Sequence, residues 1–218
     1  MIKNLIFDLD GTLIDSSHDI VRTLKLAYEK ALGLKNLELT GFPPGASLGE
    51  LITVLTPNLS KTDQERVIEI FKQIYDSGSF PQTRLFPGVY EMLLELKGLN
   101  FNLFIATNKR LAPTRMILKK LNIELFKDIA TFDLIPGSPL SKPEFLKHLL
   151  TKWEMDINQT IMIGDTVQDM VAGRYNGLKT VAVFSGYEDP EVLAKSSPDY
   201  KLDHIADLSN LVKLWSQG

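Results

Sequence analysis

Three clusters of polar residues stand where apolar runs of this sequence stop. Asp8 and Asp10 follow Leu5-Ile6-Phe7. Thr107, Asn108 and Lys109 follow the run 101–106, and Asp165 follows Ile161-Met162-Ile163-Gly164, with Asp169 four residues further on. Asp8 and Asp10 are two apart and share a face if the backbone is extended. Asp165 and Asp169 are four apart, which suits one face of a helix turn. No histidine or cysteine stands beside them, since the chain has no cysteine and its histidines are His18, His148 and His204. Up to four carboxylates gathered in this way repel one another unless a cation neutralises them. An all-oxygen donor set favours a hard cation, and Mg2+ is the usual choice where phosphate is handled. Lys142, in Ser141-Lys142-Pro143, is a candidate for a balancing positive charge. Each piece alone has a plainer reading, because aspartates cap helices and Thr-Asn makes turns. The conjunction of three clusters in this order points to chemistry.

The elements that position these residues can be read from periodicity. The runs at 5–7, 101–106, 129–132, 161–163 and 180–184 are short and continuous rather than alternating, as in strands buried on both faces. Val89, Met92, Leu93 and Leu96 repeat at helical spacing. Helical patterns also cover 110–121, closing on Leu118 and Leu121, and 143–152, with Phe145, Leu146, Leu149 and Leu150. Strand and helix alternate from about residue 84 onward, which predicts an α/β fold with a Rossmann-like parallel sheet. Ligands of such sheets bind outside the carboxyl ends of the strands, so all three clusters meet in one crevice if their strands are neighbours.

Residues 15–82 read differently. Ile20, Val21, Leu24, Ala27, Tyr28, Ala31 and Leu32 make one helical stripe, and Val67, Ile68, Phe71, Ile74 and Tyr75 another. Thr62 with Glu65 is the expected capping box of the second. The stretch 41–49, with two prolines, reads as an internal loop, and 77–83 as the return linker. The expected organisation is therefore a core of residues 1–14 and 83–218 and a helical cap domain of residues 15–82.

Composition narrows the function. A chain of 218 residues and 24.5 kDa suffices for one core carrying a small insert. Its 44% hydrophobic and 23% charged residues suit a globular protein. A net charge of −3 excludes a strong electrostatic footprint for nucleic acid. Absence of cysteine excludes disulfides, thiolate metal sites and a cysteine nucleophile. No apolar stretch approaches the roughly 18 residues of a membrane span, and the N-terminal run is too short for a signal peptide. The expected setting is the cytoplasm, and the expected state a monomer or homodimer.

The motifs resemble those of a known family. Phe7-Asp8-Leu9-Asp10-Gly11-Thr12-Leu13, Ala106-Thr107-Asn108-Lys109, Lys142-Pro143 and Gly164-Asp165-Thr166-Val167-Gln168-Asp169-Met170 are similar, in order, to the four motifs of the haloacid dehalogenase-like superfamily. The similarity covers nearly the whole chain, because the helical insert falls where that family carries its cap. Asp-Gly-Thr-Leu-Ile-Asp-Ser, Thr-Asn-Lys and Ala-Gly-Arg-Tyr-Asn-Gly resemble the phosphoglycolate phosphatase-like branch. One departure is Lys142-Pro143-Glu144-Phe145, which lacks the second proline usual there.

The resemblance implies Mg2+-dependent hydrolysis of a small phosphomonoester, with 2-phosphoglycolate as the leading substrate. It implies Asp8 as nucleophile, Asp10 as acid and base, and Lys142 as charge balance. Thr107, Asn108 and Lys142 would bind the phosphoryl group. The metal set would be Asp8, Asp10 (through its backbone carbonyl) and Asp165, with Asp169 in support. Asp10 speaks against dehalogenation, since the dehalogenases of the superfamily lack that acid. A sugar-phosphate mutase, a pyrophosphatase and a non-catalytic binding protein are the alternatives. Lys109 and Arg110 read as part of a solvated helix face. Gly45-Ala46-Ser47-Leu48-Gly49 matches a serine-hydrolase elbow, but it follows Phe42-Pro43-Pro44 rather than a strand, so Ser47 is expected to cap a helix.

Overall fold

A computed structural model describes residues 1–35, 37–39 and 45–215. β1 (Asn4–Phe7) leads through a tight loop to β2 (Ile14–Asp15). Helices α1 (Ser17–Leu32), α2 (Leu48–Leu55) and α3 (Lys61–Tyr75) come next, before β3 (Arg84–Leu85). The remainder alternates: α4 (Val89–Gly98), β4 (Asn102–Thr107), α5 (Leu111–Lys120), β5 (Asp128–Thr131), α6 (Lys142–Lys152), β6 (Thr160–Gly164), α7 (Val167–Tyr175), β7 (Lys179–Val183), α8 (Pro190–Lys195), β8 (Tyr200–Leu202) and α9 (Leu208–Trp215).

Six strands form one parallel sheet in the order β5-β4-β1-β6-β7-β8. Helical crossovers shield both faces, so strand side chains on each face are buried. Leu5, Phe7, Leu103, Ile105, Ile161, Ile163 and Val181 pack on one face, and Ile6, Phe104, Ala106 and Met162 on the other. Continuous apolar runs satisfy both faces at once. The expected α/β class and parallel sheet are thus observed. β8 is an addition to the expected strands, because its three residues, Tyr200-Lys201-Leu202, carry no apolar run.

The order of the strands places a crevice beside β1. That strand lies between β4 and β6, with Phe7 level with both Ile105 and Ile163. The chain leaves β1 to build one half of the sheet and returns to its other side to build the second half. This is the switch point at which open α/β sheets leave room for a ligand.

The insert between β2 and β3 is all helical among its described residues. Leu24, Ala27, Tyr28 and Ala31 of α1 and Val67, Phe71 and Tyr75 of α3 bury their shared stripe. The expected capping box is corrected by two residues: Ser60, not Thr62, caps α3, accepting from the Asp63 amide. Both pairs fit the pattern, and the earlier one starts the helix. Ser47 opens α2 with a capping box to Glu50, so it is a helix cap and not an elbow nucleophile. Phe42-Pro43-Pro44 lies outside the described residues. The two connections to the insert pair antiparallel, Ile14 with Leu85 and Asp15 with Arg84. Asp19, at the start of α1, accepts from the amides of Gln82 and Thr83 and from the Thr83 hydroxyl, which fastens the return linker to the helix.

Candidate active site

Phe7, Thr107 and Gly164 end three adjacent strands, so the polar residues at and beyond those ends meet at one edge of the sheet. The amide of Asp8 still bonds to the Ile163 carbonyl at 2.8 Å, which fixes Asp8 beside β6. Asp8, Asp165 and Asp169 are all buried, and one oxygen from each lies within 4.8 Å of the others. Lys142, the first residue of α6, reaches in from the side. Its ammonium is 2.5 Å from Asp8 Oδ1 and 2.6 Å from Asp169 Oδ1. Ser141 N and Oγ donate to Glu144, closing the start of that helix.

Each carboxylate is oriented by its own contacts. Asp165 accepts from the Thr12 hydroxyl (2.7 Å) and the Tyr187 amide (2.8 Å). Two glycines make room for it. A Cβ on Gly11, whose φ of +88° already disfavours other residues, would lie 2.1 Å from Asp165 Oδ2. A Cβ on Gly186 would meet Asp165 Cβ at 2.1 Å. Asp169 is the third residue of α7, and its Oδ2 accepts from the Thr166 amide and hydroxyl. It therefore serves as half of a helix cap and as a partner of Lys142.

The charges do not balance. Three buried carboxylates face one ammonium, so full ionisation would leave an excess of two negative charges. Burial, reinforced by Asp169 and Asp165, pushes the Asp8 carboxyl well above its ordinary range against the pull of Lys142. Burial and Asp169 push Asp165 up to about 7. Burial alone would weaken the Lys142 ammonium, but Asp169 and Asp8 hold its proton more tightly than in free lysine. A divalent cation would cancel the excess charge, and hard oxygen donors of this kind suit Mg2+. The donor set therefore fits the metal that the sequence suggested.

Asp10 stands apart from this trio. Its Oδ1 accepts from the Ser16 hydroxyl and lies 3.2 Å from Lys109 Nζ. Here the sequence reading of Lys109 is corrected. Its side chain is only 6% exposed and also donates to Tyr75 Oη of α3 at 2.8 Å. A surface-like run of basic residues concealed it; only the fold shows that position 109 turns inward. Arg110 next to it pairs with Asp76, just beyond α3.

The second cluster is also held from the insert. Thr107 is buried, and its hydroxyl accepts from the Lys109 amide. Asn108 Nδ2 donates to the Gly45 carbonyl at 2.7 Å and to Gln168 Oε1 at 2.9 Å. The segment immediately before α2 thus reaches the sheet edge. Tyr187, in the loop after β7, carried no sequence signal. Its amide holds Asp165, while its hydroxyl donates to Asp15 and accepts from the Ser16 amide.

Comparison with known proteins agrees with this arrangement. The sequence pattern of the family described as haloacid dehalogenase-like hydrolase matches residues 5–183. The chain is 31% identical to a phosphoglycolate phosphatase of Photobacterium profundum, across 98% of this chain and 96% of the relative. It is 30% identical to a pyrophosphatase of Oceanobacillus iheyensis, across 97% of each. In fold it is similar to a Clostridium acetobutylicum protein described as a predicted phosphatase, with a TM-score of 0.87 at 21% identity, covering 98% of this chain and 99% of that one. Among the described residues, no helix is long and apolar enough to cross a membrane. With four motifs gathered at the switch point of a parallel sheet and the family pattern spanning most of its length, the chain is an enzyme that belongs to the haloacid dehalogenase-like hydrolases.

Proposed function

We propose that the protein is a Mg2+-dependent phosphatase that hydrolyses a small phosphomonoester through an aspartyl-phosphate at Asp8. The observation that carries this reading is the excess of buried carboxylate at Asp8, Asp165 and Asp169 around one ammonium, with a further carboxylate, Asp10, close by but outside the trio. Asp8, Asp165 and the backbone carbonyl of Asp10 would hold the metal, with Asp169 in support. The bound cation supplies charge neutralisation between the nucleophile and the phosphate.

Lys142 engages Asp8 Oδ1, which leaves Oδ2 to attack phosphorus. As the Asp8–phosphorus bond forms, the bond to the leaving oxygen breaks, and Asp10 donates a proton to that oxygen. Asp10, now a carboxylate, takes a proton from water as the water oxygen attacks phosphorus. The aspartyl bond breaks, Asp8 is restored and inorganic phosphate departs. Thr107 and the Asn108 amide would hold phosphoryl oxygens through both steps. Residues 15–82 would act as the cap over a core of 1–14 and 83–218, excluding water during the first step.

The phosphoglycolate phosphatase among the relatives supports 2-phosphoglycolate as first candidate; the cytoplasm is the proposed setting. The pyrophosphatase, similar over the same length, supports inorganic pyrophosphate as a second. The test is a panel of phosphorylated metabolites and pyrophosphate, assayed with Mg2+ and with excess chelator. Phosphate release should vanish in chelator and return with Mg2+; full activity in chelator overturns the reading.

A further inference from the structure

Both ends of the helical insert converge on one carboxylate oxygen. Ser16 immediately precedes α1, and its hydroxyl donates to Asp10 Oδ1. Tyr75 closes α3, and its hydroxyl accepts from Lys109 Nζ, which lies 3.2 Å from the same Oδ1. Asp10 Oδ2 takes neither contact. Lys109 has three protons to donate and no accepting atom, so one ammonium can serve both the carboxylate and the phenol.

The phenol is not free to wander. Its ring stacks on Phe71 with centroids 5.0 Å apart, and it meets Phe80 edge-on at 5.0 Å. Lys109 Nζ also sits 4.7 Å from the ring centroid, within range of a cation–π contact. The hydroxyl therefore follows the end of α3. A second link of the same kind, Arg110 to Asp76, ties the next residue of the core loop to the next residue of the insert. The burial of Lys109 makes its placement depend on having both partners, since a desolvated ammonium with one partner removed is poorly compensated.

We propose that Tyr75 and Lys109 are positioning residues: the end of the insert, through the Tyr75 hydroxyl and the Lys109 ammonium, sets the Asp10 carboxylate for proton transfer. The inference deepens the proposed function, and rests on Asp10 as the group that protonates the leaving oxygen. It makes the insert a participant in proton transfer as well as a cover over the substrate. When α3 is displaced, Lys109 loses an acceptor and Asp10 loses its fixed rotamer. Proton transfer is then slowed while nucleophilic attack by Asp8, held wholly by core residues, is not.

The leaving group separates these effects. An aryl phosphate expels a stable phenolate and needs little help from an acid, whereas an alkyl phosphate needs a proton. Tyr75→Phe keeps both ring contacts and removes only the acceptor. We expect kcat/KM on an alkyl phosphate, which reports the steps up to release of the leaving group, to fall on the order of tenfold, part of the roughly 10²–10⁴ available to a positioned acid. The aryl phosphate should lose several-fold less in kcat/KM. Lys109→Met should show the same split, more strongly. Asp10→Asn is the reference, and should show the largest split. Adding Tyr75→Phe to Asp10→Asn should cost nothing further, because residues acting through one group are not additive. If Tyr75→Phe slows both substrates equally, or neither, while Asp10→Asn splits them, the relay is wrong and the role of Asp10 stands. If Asp10→Asn fails to split them, the role of Asp10 is wrong and the relay falls with it.

Discussion

Two lysines divide the site. Lys142 sits between Asp8 and Asp169, and every group that fixes it comes from the sheet and its crossovers. Lys109 sits between Asp10, beside β1, and Tyr75, at the end of the insert. Both are buried and both hold their protons more tightly than free lysine. For each, burial alone would work the other way, and its acidic partners outweigh it. The difference lies in what must move for the contact to break. The proposed nucleophile, Asp8, takes its contacts from Ile163 and Lys142, outside the insert. The proposed acid and base, Asp10, is contacted by Ser16 and by Lys109, which Tyr75 of the insert also holds. On the proposed roles, one half of the chemistry is permanent, and the other is conditional on the insert.

Removing the permanent half should have the largest effect. Lys142→Met leaves Asp8 and Asp169 without their ammonium, and breaking a buried pair of this kind costs about 3–5 kcal/mol. We expect a drop in melting temperature and a loss of activity on the order of 10³-fold. Because Asp8, as the proposed nucleophile, would serve every substrate, alkyl and aryl phosphates should suffer alike. A leaving-group split in Lys142→Met, measured beside Tyr75→Phe, would erase the distinction between the two lysines.

A smaller effect tests the loop that Asn108 grips. Gly45 accepts from Asn108, and a Cβ there would come 3.0 Å from Thr166 Oγ1, so the loop is pressed against the start of α7. Ala46 and Leu48, a little further along, are half-buried. Substituting either with a larger or polar residue should change the ratio of kcat/KM between two phosphate esters on the order of tenfold, since one methylene in a pocket is worth about 1–3 kcal/mol. Mg2+ dependence should persist. A constant ratio with altered overall activity would assign the loop a structural role only.

The smallest effect concerns the junction of β2 and α1. Tyr187→Phe removes one donor to Asp15 and one acceptor for the Ser16 amide, each worth about 1 kcal/mol. Partial burial would raise the Asp15 carboxyl, but bonds from Ser17 and Tyr187 outweigh it and hold it below the ordinary range. A depressed carboxyl contributes stability above its unfolded pKa, near 4, and loses it as pH falls through the folded value. The gap in melting temperature between wild type and Tyr187→Phe should therefore narrow below about pH 4 without closing, because the bond to Ser16 does not titrate. A gap that widens in acid would show that Asp15 is not the partner that matters.

Much of this was legible in the sequence, for identifiable reasons. The strands at 5–7, 101–106 and 161–163 are buried on both faces, so their apolar runs are unbroken, and the clusters beyond them meet where a parallel sheet requires. Ser47 was readable as a cap because no strand led into it. Lys109 was not readable. A lysine in a basic run is usually solvated, and its true environment depends on Tyr75, 34 residues away. Tyr75 itself read as core, which its ring is; only its hydroxyl does something else. Tyr187 escaped because loop contacts to Asp165 and Asp15 leave no periodic trace. β8 escaped because three residues are too few to show a period.

The chain leaves the core at Asp15 and returns at Arg84, and these two residues are partners in a two-stranded ribbon. Departure and return thus occur at one doorway. A segment spliced there needs only ends spaced like neighbouring strands, whatever lies between them, and leaves the pairing of β1 with β4 and β6 untouched. Sites with adjacent ends are where whole modules are gained or exchanged during evolution. The ribbon makes the core a socket: what is plugged in can change without disturbing the sheet edge that carries Asp8, Thr107 and Asp165. The same doorway sets a condition on any transplant, because a replacement module must bring its own counterparts of Ser16 and Tyr75 to Asp10 and Lys109.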